Sequence, residues 1–158
     1  MDGRAVQHLN AEIRSRLQKA QLQAVTAAAI VVHKAAIDVL ASGSPGRGRE
    51  YNSKGSKGGK GGARVKHRAS APGDPPATDT GRLRKSIAWT IQKGGPVSAR
   101  VGSTVNYAKY LDPAAQESGP AGKGVVLPRP FLSRALNSSR DQVRRVIAEQ
   151  LEKGMKGL

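Results

Sequence analysis

Apolar and polar positions follow a helical rhythm, a strand rhythm and the helical rhythm again along this chain, and each stretch predicts an element. Over residues 5–41, Val6, Leu9, Ile13, Leu17, Ala20, Ala24, Ala28, Val31 and Ala35 recur at steps of three and four, the spacing that lines one face of an α-helix. The first half of this helix is amphipathic. From Ala24 to Ala41 nearly every residue is Ala, Val or Ile, which predicts cover on several sides, either against a sheet and a neighbouring subunit or within the core of a monomer. His33 lies in this stretch, where a lone imidazole is expected to be a hydrogen-bonded core residue rather than a ligand.

The second rhythm has a period of two. Ile87, Trp89 and Ile91 alternate with Ala88, Thr90 and Gln92, and after Gly94-Gly95-Pro96 the residues Val97, Ala99 and Val101 alternate with Ser98 and Arg100. This predicts an antiparallel hairpin with coincident apolar faces and Trp89 on the buried side. Asp79-Thr80-Gly81 is a turn signal, with the strand expected directly after it. Val105 to Leu111 reads as a short helix or turn that sets Tyr107, Tyr110 and Leu111 on one side. Asp112 to Lys123 is a polar loop, and Val125-Val126-Leu127 is expected to add a short strand.

The helical rhythm then returns. Pro128-Arg129-Pro130 opens a helix over residues 131–153 with Leu132, Ala135, Leu136, Val143, Ile147 and Leu151 on its inner face. Ser139-Arg140-Asp141-Gln142 is a capping sequence that predicts a bend or a second start, and Gly154 is expected to end the helix. Together the elements predict one α+β domain over residues 1–158. An antiparallel sheet region with a short helix (79–127) is centred on the hairpin and packs with the long N-terminal and the C-terminal helix.

Residues 43–77 break both rhythms. Ser42-Gly43-Ser44-Pro45 ends the first helix, and eight glycines follow between Gly43 and Gly62. Arg47, Arg49, Lys54, Lys57, Lys60, Arg64, Lys66 and Arg68 stand here against only Glu50 and Asp74. With so little to bury, the segment is expected to be a flexible basic loop spanning roughly 30–35 Å. The run GSKGGKGG lacks the spacing and strand-to-helix context of a phosphate loop. Prolines in Ser70 to Pro76 make a stiffer return to the Asp79 turn.

Charge widens the picture beyond that loop. The chain has 27 Lys and Arg against 11 Asp and Glu, a net charge of +16 and a pI near 11.0, which favours DNA or an acidic protein surface as a partner. Aromatic residues make up only 3 %, so a core of Val, Ile, Leu and Ala gains from burial against partner subunits. No apolar run approaches the roughly 20 residues that span a bilayer, the N-terminal residues lack a secretory pattern, and a soluble protein without a membrane partner is expected. Cysteine is absent, which removes disulfide and thiol chemistry. His8, His33 and His67 show no metal spacing and the carboxylates no paired constellation. No enzyme activity, catalytic residue, metal or cofactor is expected.

Three motifs in order, APGDPPATDTGRLRKSI, VGSTVNYAKYL and LPRPFLSRAL, resemble the small neck proteins of long-tailed bacteriophages, the minor tail, tail-completion or head-to-tail joining proteins. The resemblance runs from about Ala71 to the C-terminus, and the N-terminal helix is similar only in kind. Asp79, Thr80, Gly81, Leu83, Arg84, Ser86 and Ile87 match the first motif, Val101, Gly102, Tyr107, Ala108 and Tyr110 the second, and Pro130, Phe131, Leu132, Ala135 and Leu136 the third. The resemblance implies a non-enzymatic virion protein that forms a ring, a hexamer, at the junction of tail tube and capsid connector. It is assembled in the host cytoplasm, with connector, stopper, tail terminator or tube proteins as partners and DNA passing through. It departs at Leu111-Asp112-Pro113, where a longer loop replaces a short acidic turn, and in the length of the basic loop. The alternative from charge alone is a free-standing, nonspecific nucleic-acid-binding protein.

Overall fold

The patterns at the two ends of the chain become two helices packed on each other, with a hairpin laid against the first. The computed structural model describes residues 3–42, 50–54, 64–92, 95–112 and 127–156. In order, the elements are α1 (Gly3–Ala41), β1 (Glu50–Lys54), β2 (Arg64–Arg68), α2 (Arg82–Lys85), β3 (Ile87–Gln92), β4 (Ser98–Ser103), a 3-10 turn (Asn106–Tyr110) and α3 (Leu132–Met155). The arrangement is α+β, as the rhythms predict.

Small residues set the helix pairing. Ala20, Ala24, Ala29 and Ala36 are buried along α1 together with Leu40, and Ala135 is the buried alanine of α3. At Gly154 a Cβ would run into the Cβ of Ala20. Gly154 therefore lies inside α3 where the helices cross, instead of ending the helix as expected, because close approach requires its missing side chain. No second helix start occurs at Ser138 and Ser139: α3 continues through both, and Ser139 donates its Oγ to the carbonyl of Ala135 at 2.7 Å instead of capping a new helix.

The sheet is smaller than its role in the sequence reading. β3 pairs antiparallel with β4, with Trp89 opposite Val101 and Ile91 opposite Ala99, so the two apolar faces coincide. His33 of α1 joins them by a 3.1 Å hydrogen bond between its Nε2 and the carbonyl oxygen of Ile87. The core itself lies at one end, where Ala36, Leu40, Ile87, Ala108, Phe131 and Ala135 cluster. Phe131 is its large side chain and is 0 % exposed. Trp89 is only half-buried, a correction with a simple cause: a two-stranded sheet has no third strand to extend the covered face.

Other differences are local. Gly81, with φ of 72°, starts the single helical turn α2, so β3 does not follow the Asp79 turn directly. Arg, Leu and Lys favour that turn. Within the stretch expected to be irregular, β1 and β2 form a separate antiparallel ribbon that sets Glu50 opposite Arg68 and Lys54 opposite Arg64. Tyr51 and Val65 are strand formers, too sparse among glycines to produce a readable rhythm. Leu127 is outside any strand, and Val125 and Val126 lie outside the described residues.

α1 itself departs from expectation in its hydropathy. By length and composition it is apolar enough to cross a membrane, with an 18-residue window of mean hydropathy 1.7, and only 22 % of that window is buried within the chain. Lys34 and Asp38 interrupt the run that the sequence reading judged too short. Within Ala24 to Ala41 the chain itself buries Ala24, Ala29, Ala36 and Leu40, while Ile30 remains 49 % exposed.

Candidate assembly surface

The turn residues singled out from the sequence converge in space. Asp79, Thr80, Gly81, Leu83, Arg84 and Tyr107 line one cavity of about 200 Å³, closed on another side by Leu40 at the end of α1. The amide of Arg82 donates to the Thr80 hydroxyl at 3.4 Å, and Thr78 donates its hydroxyl to the carbonyl of Leu40 at 2.9 Å. Ser86 closes α2 by donating to the Leu83 carbonyl and shares a hydrogen bond with the Ser103 hydroxyl, both at 2.7 Å. The first and second motifs therefore meet through β3 and β4. Arg82 and Arg84 of the cavity lining and the neighbouring Lys85 are exposed and form a basic ridge.

The remaining motif residues serve the fold. Phe131 is the core side chain, Pro130 delivers it, Gly102 faces Ala88 in the ladder, and Tyr110 takes the Lys109 ammonium over its ring at 5.0 Å. Of the basic loop residues, Arg47, Arg49, Lys57 and Lys60 lie outside the described residues. Lys54 and Arg64 end β1 and begin β2, while Lys66 and Arg68 are exposed on β2. The described members thus sit on the ribbon, apart from the turn cavity.

Asp112 is the residue that the sequence reading missed. Its Oδ2 accepts from the amides of Leu132 and Ser133 at 3.0 and 3.2 Å, and its Oδ1 accepts from the Ser133 hydroxyl at 3.0 Å. It thereby caps α3 from 20 residues away, placing a carboxylate where the helix dipole favours one. The available signal was negative: Arg129-Pro130-Phe131 offers no side-chain acceptor before the helix. The Pro-rich return segment is tied to the same place. Gly73 donates to the Pro128 carbonyl at 2.8 Å, Arg129 reaches the Ser70 carbonyl at 3.3 Å, and Arg134 reaches the Gly73 carbonyl at 2.6 Å.

Beside this clamp runs an apolar groove of about 670 Å³. Val25, Ala28 and Val32 of α1 form one wall, Ala99 and Val101 of β4 another, and Leu132 and Leu136 of α3 the third. Leu136 is 51 % exposed. A surface of this kind is suited to protein contact. Among the described residues, no group of at least 3 His, Cys, Asp or Glu could hold a metal ion.

Residues 7–112 match the family described as "Bacteriophage HK97-gp10, putative tail-component". The chain belongs to the HK97-gp10-like family. The matched region takes in nearly all of α1, both hairpins and the 3-10 turn and ends at Asp112. It thus includes the helix whose resemblance to phage neck proteins was only one of kind, and it leaves out the LPRPFLSRAL motif and α3. Membership in the HK97-gp10-like family puts the chain among structural components of the phage tail. No curated protein and no solved structure gives a significant match.

Proposed function

We propose that this protein is a tail-completion or head-to-tail joining protein of the phage neck, forming a hexameric ring between tail tube and capsid connector. The observation that carries the reading is the apolar groove between α1, β4 and α3 in a chain of a tail-component family. A protomer with open apolar surface and little aromatic core gains stability from identical neighbours, and a closed ring satisfies every copy alike. Its role is structural, without catalysis or cofactor. Its partners are its own copies, the connector or stopper on one side and the tail terminator or tube on the other, and its location is the head-to-tail junction after assembly in the host cytoplasm.

Charge has a place in this reading. The basic segment 43–77 faces passing DNA or an acidic neighbour in the ring, and the exposed Arg82, Arg84 and Lys85 extend that field. In vitro complementation tests the assignment. A phage lacking this gene is expected to accumulate unjoined filled heads and tails, and adding the purified protein to the extract should yield joined, infectious particles. Normal joined particles without the protein would sink the proposal.

A further inference from the structure

Among the described residues, the N-terminal part of α1 runs past the end of α3. α3 ends at Met155, one residue beyond the Gly154 that meets Ala20, so α1 from Gly3 to Lys19 extends about 25 Å further at the α-helical rise. From Gln7 to Lys19 every side chain is exposed except the half-buried Ile13. The arm nonetheless carries an apolar stripe: Leu9, Ile13 and Leu17 recur every four residues, and Leu9 and Leu17 are 57 % and 36 % exposed. Such a stripe lies along one side of the helix.

The groove is its complement. Val25, Ala28, Val32, Val101, Leu132 and Leu136 offer an aliphatic lining. Of its three polar lining residues, Ser133 donates to Asp112 at 3.0 Å and Arg100 is exposed; the rest of the lining is aliphatic and favours an aliphatic occupant. The arm cannot fill the groove of its own copy. Leu9 precedes Ala28 on the same continuous helix by about 29 Å of rise.

We propose that the arm of one copy lays its Leu9, Ile13 and Leu17 stripe into the groove of the next copy, an inference that rests on the ring reading above and names its contact. Arm and groove are different patches carried by one rigid helix, so each docking leaves the receiving copy's own arm free to engage another. That head-to-tail relation is the one that closes a ring when its rotation permits. A second copy is favoured over an unrelated partner because the chain itself carries both complementary halves and cannot join them internally.

The chain has no cysteine, which makes cross-linking decisive. In full-length L9C/L136C, a disulfide needs Cα atoms within about 7 Å, so a bond between the arm and the groove joins different copies. Mild oxidation is expected to give a ladder of covalent multimers, and a mixture of the L9C and L136C proteins should give a dimer containing one of each. Leu17→Asp, at an exposed arm position, should weaken self-association at least about tenfold by sedimentation, while at concentrations too low for assembly its thermal midpoint matches that of the parent protein. Rings that form without this cross-link would overturn the docking and leave the ring reading standing. Protein that stays monomeric at every concentration, or that floats with phosphatidylcholine and phosphatidylglycerol vesicles as a monomer, would overturn both.

Discussion

Phe131, Asp112 and Gly154 each hold the protomer together by a different physical means. Phe131 is fully enclosed, so Phe131→Ala is expected to cost about 3–5 kcal/mol. Trp89→Ala, at a half-buried site, should cost about 1–3 kcal/mol. Chemical denaturation of both variants checks the order, and a larger loss at Trp89 would move the core back to the hairpin. Asp112 accepts three hydrogen bonds at the start of α3; Asp112→Ala should lower stability by about 1–2 kcal/mol, as other lost N-caps do. Gly154 tests the helix crossing. Substituting Ala adds up to about 1 kcal/mol of helix propensity, yet its Cβ collides with Ala20 and overpacking costs about 1–3 kcal/mol. Gly154→Ala is therefore expected to destabilise, with recovery when Ala20→Gly is added, and additive effects of the two changes would show that the helices do not meet there.

At the scale of elements, the β1–β2 ribbon and the two-helix frame are separable. A two-stranded ribbon is marginal by itself, and the core cluster draws on α1, β3, the 3-10 turn and α3 without it. Replacing residues 50–68 with a short Gly-Ser link should leave the thermal midpoint within a few degrees of the parent protein while impairing ring formation or head joining. A collapse of the fold would show that the ribbon is part of the scaffold. The long helices and the second hairpin were legible because Leu9, Ile13 and Leu17, or Ile87, Trp89 and Ile91, repeat at the period of their element. What escaped was long-range. The carboxylate of Asp112 reaches α3 across a loop, Gly154 owes its place to Ala20, and neither partnership leaves a local pattern. Ribbon β1–β2 escaped because glycines surround its few strand formers, and the groove because its walls come from three elements far apart in the chain. The turn cavity was partly legible: Asp79 to Arg84 were singled out as one motif, and the structure adds Tyr107 to them.

For the whole molecule, charge and apolar surface point to different partners, and salt separates them. If phosphate contacts dominate, DNA affinity should fall by orders of magnitude between about 50 and 200 mM salt. Assembly through the apolar groove should persist over the same range, because hydrophobic burial is not screened. A protein whose self-association vanishes with salt alongside its DNA binding would favour the nonspecific nucleic-acid binder. The most direct test of the joining role is electron microscopy of the purified protein, alone and mixed with tail tubes of its own phage. Rings that cap the head-proximal end of the tubes are the expected result, and monomers that never associate with either end would contradict it.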